Sequence, residues 1–139
     1  MSNVSSVELE PGFRGTVTGI TRAGYSQRAT VEIKKADGRT VASTTLVGKG
    51  ENVPMTQEVN PALPAYAFGP FAEPMTVKVT IEFATDGQHF KRSKEVAPVT
   101  VIKKPDESSP QTYVVSTLLS EDSTDNDFND CIISIFQYK

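Results

Sequence analysis

Five carboxylates fall within eleven residues near the end of this chain, in the run Ser120-Glu121-Asp122-Ser123-Thr124-Asp125-Asn126-Asp127-Phe128-Asn129-Asp130. Two apolar stretches with the composition of β-strands flank it, Tyr113 to Leu119 before and Cys131 to Phe136 after. Like charges held this close in a poorly solvated place cost on the order of a kcal/mol or more per contact. A cation placed among them lets the chain order such a loop. The donors are hard oxygens, with no clustered His or Cys, and that selects Ca²⁺, which takes about 6–8 oxygen ligands in a flexible geometry.

Two other readings compete. Charge runs are commonly solvated, so the stretch could be a plain acidic hairpin. A solvated hairpin does not require Asp125, Asp127 and Asn129 in strict alternation, which points three oxygens to one side. The spacing Asp125-x-Asp127-x-Asn129 also matches the first half of an EF-hand loop. It then fails: the turn position that needs Gly holds Asp130, the closing Glu position holds Phe136, and no helical pattern flanks the loop. The residues therefore predict a calcium loop between strands.

The remainder of the chain sets the frame for that loop. Its 139 residues are enough for one domain with a working core. We divide it into a loosely held start, residues 1–10, and a single β-domain over 11–139. A net charge of −3, with much of the acid in one loop, gives no basic surplus for phosphates and argues against nucleic acid as a partner. The clusters Lys34-Lys35, Lys91-Arg92-x-Lys94 and Lys103-Lys104 sit where strands end and read as edge protection. The one cysteine, Cys131, lies in an apolar strand and reads as a buried thiol. The one histidine, His89, sits by a turn and reads as a surface residue. No apolar run is long enough to span a membrane, and the start shows no basic region followed by an apolar one. The expectation is a chain made in the cytoplasm, with export only by a route that needs no cleaved signal.

Along the chain, strands are expected over Phe13–Thr21, Arg28–Lys34 and Thr40–Val47. The first two are separated by a turn at Gly24-Tyr25-Ser26, the second and third by a hairpin at Asp37-Gly38, and Gly48-Lys49-Gly50 ends the third. Asn52–Val59 is a further strand weakened by Pro54. Residues 60–74 hold four prolines and form an irregular piece whose aromatics, Tyr66, Phe68 and Phe71, fold over one end of the core. Met75–Phe83 alternates most cleanly; Asp86-Gly87 turns it into Gln88–Val96. Val99–Lys103 is a short strand and 105–110 a polar linker. The last strand, Cys131 to Tyr138, is apolar on both faces, with Cys131, Ile133 and Ile135 on one and Ile132, Phe136 and Tyr138 on the other. Such a strand needs cover on both sides, one from the opposite sheet and one from a second subunit, so a homodimer or higher homo-oligomer is expected. No helical periodicity appears. About nine short strands, with turn signals every 8–12 residues or so, indicate an all-β, antiparallel β-sandwich.

The string Glu121-Asp-x-Thr-Asp-Asn-Asp-x-Asn-Asp130, followed by an apolar strand that ends the sequence, closely resembles the loop of the two-calcium, fucose- and mannose-binding bacterial lectins of the LecB type. The likeness continues more weakly through Asp86-Gly87 and Met75–Phe83. It implies that Glu121, Asp125, Asp127 and Asp130 bind one calcium and Asp127, Asn129 and Asp130 a second. It also implies that Asp122, Asp125 and Asp130 meet the sugar. In the first turn the family has an Asn ligand and a small Ser-Ser-Gly-like run; here the residues are Arg22-Ala23-Gly24-Tyr25-Ser26-Gln27, and only Ser26 matches as a sugar contact. The family ends in a glycine whose carboxylate reaches the partner's site, whereas this chain ends in Lys139. One calcium site is complete on this reading. At the second, Arg22 or Lys139 could stand in for the metal's charge.

The expected function is thus a calcium-dependent carbohydrate-binding lectin, fucose- or mannose-type, without catalysis. The alternative is a calcium-stabilised structural or interaction domain that binds no sugar. A glycosidase using two loop carboxylates fits poorly, because metal-bound carboxylates are poor proton donors and no separate acid pair is present.

Overall fold

The structure, a computed structural model, describes residues 6–121 and 130–139. Among the described residues, eleven strands form one antiparallel sheet that folds back on itself. They are β1 (Ser6–Leu9), β2 (Arg14–Lys34), β3 (Thr40–Pro54), β4 (Thr56–Gln57), β5 (Tyr66–Phe68), β6 (Met75–Ala84), β7 (Lys91–Arg92), β8 (Lys94–Glu95), β9 (Val99–Lys103), β10 (Tyr113–Glu121) and β11 (Cys131–Tyr138). Among the described residues no helix is long and apolar enough to cross a membrane.

β2 makes this one sheet into two layers. Its first part pairs with β11, from Arg14 opposite Tyr138 to Thr21 opposite Cys131. Its second part pairs with β6, from Ser26 opposite Ala84 to Lys34 opposite Thr76. One layer is then β9, β10, β11, β5, the start of β2 and the end of β3; the other is β1, β6, β4, the end of β2 and the start of β3. The alternation read from the sequence aims Val17, Leu118, Ile133 and Ile135 from the first layer at Ala29, Val31, Ile33, Val77, Val79 and Ile81 from the second. All belong to one buried cluster. Each aliphatic side chain fully removed from water there contributes about 1.5–3 kcal/mol. Gly15 is required where β2 meets β11: a Cβ on it would meet the Phe136 backbone oxygen at 1.9 Å.

Several sequence expectations hold. Asp37-Gly38 is a tight turn, with Gly38 N bonded to Lys35 O at 2.9 Å and Gly38 at a φ of 90°. Val99–Lys103 and Cys131–Tyr138 are strands with those bounds, and Phe68 is buried while Tyr66 and Phe71 pack against the core. Cys131 is fully buried, its thiol 3.6 Å from the Met55 sulfur.

Others are corrected. Gly24-Tyr25-Ser26 does not reverse the chain; it lies inside β2, which spans 21 residues. Gly48-Lys49-Gly50 likewise lies inside β3. The expected strand over Gln88–Val96 is only β7 and β8, because the chain changes layers at Ser93: β7 pairs with β6 and β8 with β10. The start is not loose from residue 6 on. β1 pairs with β6 and buries Val7 and Leu9; residues 1–5 lie outside the described part.

β1 is held to the other layer by Gln137, a fully buried amide on β11. Its Nε2 donates to Glu8 O at 3.1 Å, and its Oε1 accepts from Glu10 N at 3.0 Å. Replacing it leaves both backbone groups unpaired, at about 1–3 kcal/mol. Gln137→Ala should therefore lower unfolding free energy by about that amount in urea denaturation, with faster hydrogen exchange confined to β1.

Candidate functional site

In sequence the acidic run joins the end of β10 to the start of β11, and the described residues on either side of it form its base. Ser120 pairs with Cys131 across the hairpin. Asp130 N donates to Ser120 O at 3.1 Å, and Ser120 Oγ donates to Cys131 O at 3.3 Å. The residues on either side of the loop are thereby fixed. Both are carboxylates and both are out of water: Glu121 is 1% exposed and Asp130 7%. Burying an ionised carboxylate costs several kcal/mol unless donors or a cation meet it. Lys94 is the cross-strand neighbour of Glu121 in the register of β8 and β10.

A third buried carboxylate, Glu95, was not singled out by the sequence. It lies opposite Ser120 on β8, with its side chain 2% exposed. Its Oε2 accepts from Ile81 N at 3.3 Å and lies 3.5 Å from Arg92 Nη2. Glu95 therefore ties the two layers together behind the loop. No local sequence signal marked it, because the change of layer at Ser93 shows only in the pairing.

β2 supplies the opposite wall. Arg22 N donates to Asp130 O at 2.9 Å, which ties the start of the layer crossing to the end of the loop. Just beyond, the register slips: Ala23 faces Gly50, but Gln27 faces Gly48. β2 thus carries two more residues than β3 across this interval, and the excess bulges outward. Ser26 lies on that bulge, half-buried, opposite Ala84. Thr21 Oγ1 bonds Gly50 O at 2.8 Å and holds β3 against the crossing. A Cβ on Gly87 would stand 3.8 Å from Ser26 Oγ, so the turn after β6 lies directly over Ser26.

Of the predicted site residues, the structure places Glu121 and Asp130 together at the loop base and Ser26 on the crossing strand tied to it. Asp122, Asp125, Asp127 and Asn129 lie outside the described residues. Among the described residues no group of three His, Cys, Asp or Glu side chains gathers as a metal needs. The donor set nevertheless suits a hard cation: two buried carboxylates bracket the loop, and the one His, on the turn after β6, pairs with Asp86 instead. Lys139 cannot supply charge to this loop within one chain. It follows β11, roughly 23 Å of extended strand beyond Cys131, with its amine beside Gly12.

The sequence model of the fucose-binding lectin II (PA-IIL) family matches residues 7–139. The comparison with curated proteins finds no match. Among solved structures, the chain resembles the Chromobacterium violaceum lectin CV2L, determined in complex with alpha-methyl-fucoside, at 22% identity and a TM-score of 0.58, covering 96% of this chain and 94% of that one. It resembles the C-terminal domain of the BC2L-C lectin from Burkholderia cenocepacia at 19% identity and a TM-score of 0.56, covering 95% and 93%. A high-affinity mannose-binding lectin of Ralstonia solanacearum aligns at 19% identity and a TM-score of 0.53, covering 95% and 94%. At these identities the structural likeness establishes the fold.

The turn over Ser26 is fixed by Asp86. One carboxylate oxygen accepts from Gln88 N at 2.9 Å and His89 N at 2.8 Å, and the other meets the His89 ring. The backbone bond from His89, then its ring, then Gln88 N lower the Asp86 pKa from 3.8 to about 2. A depressed carboxylate stabilises the folded turn above its unfolded pKa, and that contribution fades as pH falls through the folded value. A carboxyl-carbon NMR titration should therefore show Asp86 ionised at pH 3, with its midpoint near 2. The turn amides should hold their shifts down to about that pH.

Proposed function

The chain belongs to the fucose-binding lectin II (PA-IIL) family, and we propose that it works as a calcium-dependent lectin for fucose- or mannose-type saccharides. The observation that carries this reading is the buried pair Glu121 and Asp130 at the two ends of the acidic loop. Glu121, Asp125, Asp127, Asn129 and Asp130 would hold the ion, with at least one Ca²⁺ per chain. Calcium, when bound, offers open positions at which a sugar's vicinal hydroxyls, hard neutral donors, replace water. Asp122, Asp125 and Asp130 would then accept hydrogen bonds from the sugar's hydroxyls, and Ser26 would contact it from the β2 side. The chain's own contribution is to hold the loop's ends rigid, so that the ligand oxygens do not have to be ordered anew on binding.

Arg22 favours a second reading in which calcium serves stability alone. It is an exposed cation whose backbone is bonded to Asp130, in the turn segment where the resemblance expects a calcium-ligating Asn and this chain has none. On that reading calcium raises the melting temperature while no saccharide binds.

We propose further that the protein is a homodimer through the outer face of its β9–β10–β11 layer. Register places Val101, Val115 and Phe136 in one row and Leu119, Ile132 and Ile20 in another. Tyr113, Phe136 and Tyr138 form a chain of ring contacts, 5.9 Å and 5.6 Å between centroids. Val99, Val101, Ile20, Tyr113, Phe136 and Tyr138 are all exposed in the single chain. Apolar surface this continuous marks an interface, and one self-complementary face closes a two-fold dimer.

Titration with methyl fucoside and methyl mannoside in excess calcium should show binding that EDTA abolishes. Glu121→Gln or Asp130→Asn should weaken calcium by at least about tenfold, since ligand charge sets calcium affinity over decades. A thousandfold excess of calcium over its Kd should stabilise the fold by about 4 kcal/mol. Failure of both sugars to bind at millimolar levels with calcium saturated would leave the stability reading. Phe136→Asp should yield a monomer by light scattering with the strand content unchanged; a wild-type monomer would refute the dimer.

A further inference from the structure

The bulge of β2 beside the loop presents an aromatic ring that neither the core nor the calcium ligands use. Tyr25 is 41% exposed, yet its ring is held: it stacks on Phe83 of β6, 6.1 Å between centroids and 26° between planes. Its neighbours leave the approach open. On one side is Gly24, where an added Cβ would meet nothing within 4 Å among the described residues; on the other is Ser26. Three residues before it, Arg22 N is bonded to Asp130 O at the end of the loop. Three extended residues reach at most about 10 Å, so the ring stands within one or two sugar rings of the loop base.

An exposed aromatic ring pre-ordered from one side has its other face free for a flat apolar partner, and it gives up little side-chain entropy on binding. A pyranose is such a partner, because its C–H bonds gather on one face and its hydroxyls at the rim. We propose that Tyr25 is the stacking platform of the saccharide site and selects sugars with a continuous C–H face. Ser26 meets a rim hydroxyl, and Gly24 keeps the entry clear. This rests on the lectin reading of the loop and adds to it a contact that the small residues of the family pattern at this bulge would not make.

The test compares unaltered protein with Tyr25→Phe, Tyr25→Leu and Tyr25→Ala, each titrated with methyl fucoside and methyl mannoside in saturating calcium. Tyr25→Phe should bind within about twofold of wild type, while Tyr25→Ala and Tyr25→Leu should bind about tenfold more weakly, the order of one lost aromatic contact. Calcium affinity should be the same in all four proteins, which separates loss of the platform from misfolding. In the unaltered protein, NMR of the bound sugar should show its C–H protons shifted upfield by the ring current, and Tyr25→Leu should remove that shift. Sugar binding that ignores Tyr25→Ala and Tyr25→Leu, with no ring-current shift, overturns the platform alone. Absence of sugar binding by the unaltered protein overturns the platform and the lectin reading together.

Discussion

A carboxylate removed from water must be met by a cation or by hydrogen-bond donors, and this chain removes two of them at the mouth of one loop. Glu121 and Asp130 are buried where β10 gives out and β11 begins, joined through the Asp130 N–Ser120 O bond. The rest of the molecule is arranged so that this burial persists. β11 is paired on both sides, with β10 and with β2. Arg22, just before the bulge, is bonded to Asp130 itself. Behind the loop, Glu95 spends a buried carboxylate on the backbone of the opposite layer.

The two layers are one sheet because β2, β3 and the segment 91–95 each run in both. A crossing strand costs register, and register slips are where side chains leave the pleat. The slip between Ala23 and Gln27 is such a place. It leaves Tyr25 exposed and Ser26 half-buried, while Thr21 and Gln27 on either side stay buried. The same strand thus carries core packing in its ends and exposed side chains in its middle. The family's lectin architecture and this chain's particular aromatic bulge are therefore compatible.

Much of this was legible from residue patterns. Strands with clean alternation, such as Met75–Phe83 and Cys131–Tyr138, announced themselves, because one face meets the core and a shift by one residue would expose it. The acidic string pointed to the lectin family that the family model then matched. The continuity of β2 was hidden for a physical reason. Gly24-Tyr25-Ser26 carries turn chemistry, and only the partner strand's own irregularity, with Gly50 at a φ of 108° and Asn52 at 54°, lets the two excess residues bulge instead of reversing the chain. Glu95 was hidden because nothing local to Lys94-Glu95 says that the chain has just changed layers. The strand at Ser6–Leu9 was hidden because its partner for burial, Gln137, lies 127 or more residues away.

Family membership, the buried carboxylates and the outer apolar face support the proposed reading, a lectin whose loop, anchored at both ends, would hold an ion for a saccharide. All of that rests on the ion. Metal analysis of the protein after dialysis against dilute calcium and then metal-free buffer measures it directly. The account predicts at least one calcium per chain retained, and removed by chelator with loss of thermal stability. A chain that retains none, and whose melting is the same with and without chelator, would contradict it.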